Sequence, residues 1–380
     1  MGKRIGIDCR MWNETGVGRY TRNLVRILQT KDSENHYFLF ALPQNYEAIM
    51  QTIENRNFTV VSVDIHWHSF AEQLVLPWKL LEYNLDLMHF PYFSFPLLYT
   101  RPFITTIHDM TPWLFATGKA STLPAPLYWL KQLAYKFQQR VGAMRAVKII
   151  TVSESAKQDI IKFLHVSPKK VVVTYEGVDA ALHVRKNAVK KSDIFASLNI
   201  QPKKYFLTVG NFYPHKNLER LVLAFQKVHA LHKDIQLVMV GKKDFFGSRL
   251  EEFAKEHLIT GIIFAGFVPD NDLAELYQKS LSTVYPSLVE GFGLLVLESL
   301  ANDSLIITSN IPVLQEIGGD NLLYCDPYSV DDIARSLEDV IGMTEKRRAE
   351  QLEQGQKILR KFSWTKMGDE TLAVYNALIA

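Results

Sequence analysis

Cysteine is almost missing from this chain, with only Cys9 and Cys325 among 380 residues. That scarcity excludes a disulfide framework and a cysteine-rich zinc site; two reduced thiols in a cytosolic protein are expected. Long apolar runs are missing as well, and no window approaches the ~20 apolar residues that span a bilayer. The start, Met1-Gly2-Lys3-Arg4-Ile5, enters a strand-like run at once, without the pattern of a signal peptide. No tandem repeat or low-complexity tract is present. A cytoplasmic protein is expected, either free or peripheral at the inner face of the cytoplasmic membrane. An overall charge of one sign is lacking too, the net being +3. The balance is uneven, however: residues 1–195 carry 24 basic against 16 acidic side chains, and residues 196–380 carry 19 against 24. The basic half suits an anionic membrane or acceptor as well as it suits a solvated surface. No nucleic-acid partner is expected.

What the chain does have is alternation. Short runs that are apolar on both faces recur at Arg4–Cys9, Tyr37–Leu42, Phe58–Val63, Leu87–Phe90, Phe103–Ile107, Lys148–Val152 and Val171–Tyr175. Amphipathic stretches such as Tyr20–Gln29 and Glu154–Leu164 lie between them, Ser153 serving as a cap for the latter. A polar, basic linker is expected around Val184–Asp193. The pattern then restarts with strands at Tyr205–Gly210, Leu237–Gly241, Ile262–Ala265, Ser282–Tyr285, Leu305–Thr308 and Leu322–Cys325. Helices follow at Leu218–His229, Asp272–Lys279, Leu294–Ala301 and Val330–Gly342, with a last one at Thr365–Leu378. Buried strands alternating with helices predict an α/β protein of two doubly wound, Rossmann-like domains facing across a cleft. The expected divisions are 1–195, 196–362 and a terminal helix, 363–380, crossing back to the first domain. In such sheets ligands bind beyond the carboxyl ends of the strands, so motifs at strand-to-helix turns carry most weight.

Four turns qualify. After Ser282–Tyr285 comes Glu290-Gly291-Phe292-Gly293-Leu294-Leu295-Val296-Leu297-Glu298. Its glycines let backbone amides approach a ligand, and amides at a helix N-terminus attract phosphate. Helical rise would put Glu298 about 12 Å beyond Glu290, a span that suits a nucleotide-sugar. An acidic first turn with one mid-helix salt bridge is the plainer alternative. In Gly210-Asn211-Phe212-Tyr213-Pro214-His215-Lys216-Asn217, Lys216 could supply the cation that a diphosphate needs in a site without metal. The loop Asn13-Glu14-Thr15-Gly16-Val17-Gly18-Arg19-Tyr20 fails the dinucleotide fingerprint, because Thr21 stands where the third glycine would be. Thr106-Ile107-His108-Asp109 ends a strand at the ligand-binding edge. A capped turn with a structural histidine is the plainer reading there.

The Glu-x7-Glu segment resembles the signature of retaining glycosyltransferases of family 4, which have the GT-B fold, and the likeness runs through nearly the whole chain. The resemblance implies that Glu290 contacts the donor sugar and that Glu298 binds the ribose hydroxyls. Phe292 and the amides near Gly293, Leu294 and Leu295 would lie along the diphosphate, with Lys216 as its cation. Gly16 and Gly18 would face that diphosphate. His108 would line the reaction centre, with Asp109 orienting it or binding acceptor, and Phe267-Val268 would flank the base. Glu176-Gly177-Val178-Asp179 resembles the family's turn near the hinge. At one position the chain departs from the pattern. The usual diphosphate arginine falls near Asn211 and the loop looks one residue short, so His215 or Arg19 is left as the second cation.

No metal or other cofactor is expected. Asp270-Asn271-Asp272 precedes a helix, where capping explains it better than metal binding. The partners implied are a nucleotide-sugar donor and a glycan or lipid-linked acceptor. The Gly-Asn-x-x-Pro-x-Lys-Asn variant looks most like bacterial mannosyltransferase-type members, which points to GDP-mannose ahead of UDP-glucose or another hexose donor. A GT-B-like epimerase and an inert nucleotide-sugar binder are the rivals. Residues 125–148, rich in aromatic and basic side chains, read equally as a helix on anionic lipid and as a domain helix with aromatics in the core.

Overall fold

The computed structural model describes residues 2–115, 124–178 and 194–380. The expected linker at Val184–Asp193, and Asp179 of the hinge-like turn, lie outside the described residues. The chain divides into two compact units. Among the described residues the first comprises 2–114, 124–177 and 363–380, and the second 115, 178 and 194–362.

The first unit is built on β1 (Arg4–Asp8), β2 (His36–Ala41), β3 (Phe58–Ser62), β4 (Leu87–Phe90), β5 (Phe103–Ile107), β6 (Lys148–Thr151) and β7 (Val171–Val173). They form one sheet in the order β3-β2-β1-β4-β5-β6-β7, with every pairing parallel. Crossover helices cover both faces of such a sheet, so its central strands must be apolar throughout. Every residue of β4 and β5 is buried. The terminal helix Trp364–Ile379 packs on helix Gly16–Lys31 within this unit. Gly368 lets them approach: a Cβ there would sit 2.4 Å from Ile27 Cγ2.

The second unit contains β8 (Tyr205–Val209), β9 (Gln236–Val240), β10 (Ile262–Gly266), β11 (Thr283–Tyr285), β12 (Ile306–Ser309) and β13 (Leu323–Cys325). Their order is β10-β9-β8-β11-β12-β13, again all parallel. Each sheet therefore reverses its strand order at one place, between β1 and β4 in the first and between β8 and β11 in the second. Such a switch point leaves a crevice at the carboxyl edge, because successive crossovers leave in opposite directions.

Candidate functional site

In the second unit the loops after β8 and β11 meet at the switch point. Thr208, Asn211, Phe212, Lys216, Tyr285 and Ser287 line a small cavity there. Lys216 ends a short 3-10 turn, Pro214–Lys216, which Pro214 starts by fixing its own φ. The turn is pinned from both sides. Leu288 N donates to His215 O at 2.8 Å, and the buried Asn217 amide donates to Pro286 O and Pro327 O at 2.9 and 2.6 Å. Asn217 holds φ +62, the left-handed region that asparagine tolerates better than most residues. Lys216 Nζ thereby reaches both carboxylate oxygens of Glu290, at 2.8 and 3.0 Å. Burial pushes the Glu290 carboxyl up, but the Lys216 charge and hydrogen bond, with help from Ser287, hold it below its ordinary range. The pair is only partly exposed, so the two opposite charges are fixed where a polar ligand would enter.

The rest of the expected donor strip surrounds this pair. Gly293 precedes helix Leu294–Ala301 with φ +116, and a Cβ there would come 2.8 Å from Leu314 Cδ2. Both facts demand glycine and leave the amides of Leu294 and Leu295 at the helix start. Gly210, at φ +128, would place a Cβ 3.5 Å from Leu295 Cδ1, so the loop after β8 touches the start of this helix. The helix starts only at Leu294, so residues 290–293 are loop and the separation expected from helical rise does not apply to them. Glu298 is buried and accepts from Tyr277 Oη at 3.3 Å. The Phe292 ring packs on Phe362 at 5.5 Å and is buried, so its backbone is the part nearest the glycine turn. Past β10, Val268 is buried while Phe267 is 80% exposed, an apolar ring held at the ligand edge of the sheet. Asp270 and Asp272 occupy the first turn of helix Asp270–Lys279, where carboxylates complement the helix dipole, and neither makes a side-chain cap.

The residues expected from the first half lie in the first unit. Gly16 and Gly18 are inside the first turn of helix Gly16–Lys31, not in a loop before it. Gly18 is required by packing, since a Cβ would fall 2.4 Å from Trp12 O, whereas nothing lies within 4 Å of a Cβ at Gly16. His108 follows β5. Its Nε2 is 3.0 Å from Pro91 O, its Nδ1 is 3.3 Å from Glu176 Oε1, and the Tyr20 ring meets it edge-on at 4.9 Å. Glu176 is thus the carboxylate beside His108. Asp109 instead accepts from Thr111 N at 2.7 Å, closing the turn into helix Thr111–Leu114. Behind His108 a buried chain runs from Tyr375 Oη to His89 Nδ1 at 2.6 Å and from His89 Nε2 to Thr106 Oγ1 at 2.8 Å. Burial, with His108 nearby, pushes the His89 imidazole down to about 3, so it is neutral at physiological pH. Neither Glu176 as the partner of His108 nor this chain was found by sequence spacing.

Two all-parallel sheets, each with helices between its strands and one reversal of strand order, are the architecture of the GT-B fold. The chain belongs to the glycosyltransferases: Glycosyltransferase Family 4 matches residues 15–182 and Glycosyl transferases group 1 matches residues 190–357. It is 26% identical to O-antigen chain mannosyltransferase B of Escherichia coli over 385 aligned residues, 96% of each chain. Sucrose-phosphate synthase from Thermosynechococcus elongatus has the same fold, with TM-score 0.76 at 17% identity over 99% of each chain. Anabaena Alr3699/HepE in complex with UDP-glucose gives 0.74 at 15% identity, over 99% of this chain and 100% of that one.

Proposed function

We propose that the protein is a retaining, metal-independent hexosyltransferase that moves mannose from GDP-mannose to a hydroxyl of a glycan or lipid-linked acceptor, in cell-envelope polysaccharide or glycolipid synthesis in the cytoplasm. The observation that carries this reading is the Lys216–Glu290 pair at the carboxyl edge of β8 and β11. An ammonium beside a glycine turn and a helix start supplies what a departing diphosphate needs: a cation, backbone amides and the positive end of a helix dipole. Glu290 would hold the sugar as charge develops, and Glu298 the ribose. Phe267 would flank the base. For His108 we propose contact with the donor sugar, and for Asp109 orienting His108 or binding the acceptor. The departing phosphate oxygen would take the acceptor's proton, giving same-face displacement without a covalent enzyme intermediate. The mannosyltransferase relative supports mannose as the sugar, and the UDP-glucose of the Anabaena neighbour makes a UDP-hexose the runner-up donor.

A screen of GDP-, UDP- and dTDP-sugars by thermal shift and nucleotide release is expected to single out GDP-mannose, with slow release that acceptor accelerates. Interconversion of a sugar nucleotide without acceptor would reveal an epimerase. Binding without release would reveal an inert binder, and no shift with any donor would sink the reading altogether.

We also propose peripheral contact with anionic membrane. Among the described residues no helix is long and apolar enough to cross one. Helix Ala125–Arg145 nevertheless exposes Leu130, Leu133 and Phe137, and helices Phe70–Leu74 and Leu76–Leu81 expose Phe70, Leu74 and Trp78. The two sets flank one loop, because Gln73 and Gln138 both donate to Phe95 O. The aromatics of the longer helix are divided: Tyr128 is buried, while Trp129 and Phe137 are exposed. Neutralising Lys131, Lys136 and Arg140 together is expected to weaken sedimentation with phosphatidylglycerol vesicles at least about tenfold, at ~1 kcal/mol per basic residue near the surface. The gain is reduced because Lys136 and Arg140 also lie over the Trp113 ring. Unchanged binding would refute membrane contact through this face.

A further inference from the structure

Four polar side chains of the first unit are linked by hydrogen bonds, and the chemistry assigned so far leaves them unused. Tyr375 comes from the terminal helix Trp364–Ile379, His89 from β4, Thr106 from β5 and Tyr20 from helix Gly16–Lys31. All four are fully buried. Tyr375 Oη lies 2.6 Å from His89 Nδ1, His89 Nε2 lies 2.8 Å from Thr106 Oγ1, and Thr106 Oγ1 lies 3.3 Å from Tyr20 Oη. Apolar side chains of the same shape would fill this space with little loss of stability, so the fold alone does not require the chain of bonds.

The direction of the bonds follows from counting donors. A buried phenol O–H left unpaired costs about 1–3 kcal/mol, and the hydrogen-bond partner of Tyr375 among the described residues is His89 Nδ1. Tyr375 therefore donates and Nδ1 accepts. Burial keeps the His89 ring neutral, so its one proton sits on Nε2 and is donated to Thr106 Oγ1. The Thr106 hydroxyl proton is then left for Tyr20 Oη. Without the Tyr375 hydroxyl nothing holds the His89 proton on Nε2. With that proton on Nδ1, Nε2 would accept from Thr106, and Tyr20 would lose its donor. Tyr20 is the end that meets the proposed reaction centre. Its ring stands edge-on to His108 at 4.9 Å, while Pro91 O and Glu176 Oε1 face the two nitrogens of that imidazole.

We propose that Tyr375 is a positioning residue of the reaction centre: through the tautomer of His89 and the hydroxyl of Thr106 it fixes Tyr20, and Tyr20 fixes the His108 ring. This rests on the transferase reading above, because His108 bears on turnover only if it meets the donor sugar. Tyr375 is fully buried and cannot itself reach a ligand. In that reading the nucleotide is held by the second unit, so a displaced His108 lowers kcat and leaves the donor KM nearly as it was.

The test is nucleotide release by the full chain from GDP-mannose or UDP-glucose, whichever it hydrolyses, with kcat and KM measured separately. Tyr375→Phe removes one hydroxyl from the chain of bonds and is expected to lower kcat about tenfold, a small displacement at the chemistry being enough for such a loss. Its donor KM is expected to change less than about twofold. Thr106→Val cuts the same chain one link on, is expected to show the same split, and decides the matter should Tyr375→Phe fail to fold. Ile379→Ala is the control for helix docking, since Ile379 is buried one turn further along the helix and outside the chain of bonds. It is expected to lower the melting temperature at least as far as Tyr375→Phe while leaving kcat unchanged at temperatures where it is folded. NMR of protein labelled at the histidine ring nitrogens is expected to show the His89 proton on Nε2, and the His108 signals moving in Tyr375→Phe but not in Ile379→Ala. The proposal is overturned by a proton on His89 Nδ1 in the wild type, by an unchanged kcat in the folded hydroxyl variants, or by an equal loss in Ile379→Ala. The two readings fail differently. Release from no sugar nucleotide removes the transferase and this role with it, whereas normal release that the hydroxyl variants leave unmoved removes only the role of Tyr375.

Discussion

Lys216→Ala is expected to lower turnover at least about 100-fold, and Glu290→Ala to do the same, on the scale of losing one preorganised oxyanion donor. The measurement is nucleotide release at saturating donor with acceptor present. Lys216 does two jobs in this geometry. It neutralises a carboxylate that burial alone would push toward protonation, and it brings an ammonium to the lining of the cavity. Alanine at 216 leaves the Glu290 charge facing an anionic diphosphate, so donor affinity falls along with turnover. Glu290→Ala releases the ammonium from its present position and removes the proposed sugar contact. Groups that act as one unit are strongly non-additive, so the double variant is expected to lose little more than either single one. Near-normal turnover in both single variants would refute the assignment.

Arg10→Ala is expected to cost about 3–5 kcal/mol of stability, the penalty for breaking a buried ion pair from one side. For a unit of this size that is a fall in melting temperature of about 6–20 °C, at ~2–4 °C per kcal/mol. The reason is what remains. Glu72 would keep its bonds from Ser94 and His68 but lose the one charge that balances it, and Ile65 O would lose its donor. Burial works against the Arg10 charge, yet Asp8 and then Glu72 more than offset it and raise the pKa above its ordinary value. Lys31→Ala is the contrast within the same unit. Its pair with Asp369, at 3.2 Å, is open to solvent on both sides, so its loss should cost no more than ~1 kcal/mol. Equal shifts in the two variants would contradict this account of burial.

Much of the fold was legible because burial on both faces leaves a local trace. The strands expected at Leu87–Phe90 and Phe103–Ile107 occur with those bounds, and helix Glu154–Leu164 starts where Ser153 Oγ accepts from Ala156 N. Helix Leu294–Ala301 also has the expected bounds. In the turn after it Asp303 adopts φ +52, a left-handed conformation that aspartate tolerates better than most residues. Helix Gly16–Lys31 begins four residues before Tyr20, since the low helix propensity of its glycines is overridden by packing against residues 11 and 12. Helix Glu345–Leu359 was not anticipated. It is mostly polar, with only Gly355 and Ile358 buried, so it carries little apolar periodicity. At the site, motifs confined to one loop were readable, but pairs made by topology were not. Arg10 and Glu72 are 62 residues apart, and His108 and Glu176 are brought together from different strand ends. No spacing rule encodes such meetings; they follow from which strands become neighbours.

The terminal helix has a consequence for the order in which the protein is made. Tyr375 and Thr371 are buried in the first unit, beside His89 and helix Gly16–Lys31, yet the ribosome adds them only after the whole second unit. At ~5–20 residues per second, the gap between Gly177 and Ser363 is about 10–40 s of synthesis. During that time the groove that will receive Met367, Thr371 and Tyr375 stays open on a nascent chain. The first half to emerge is therefore the last to finish folding, and it is the half most exposed to chaperones and proteases while the protein is being made.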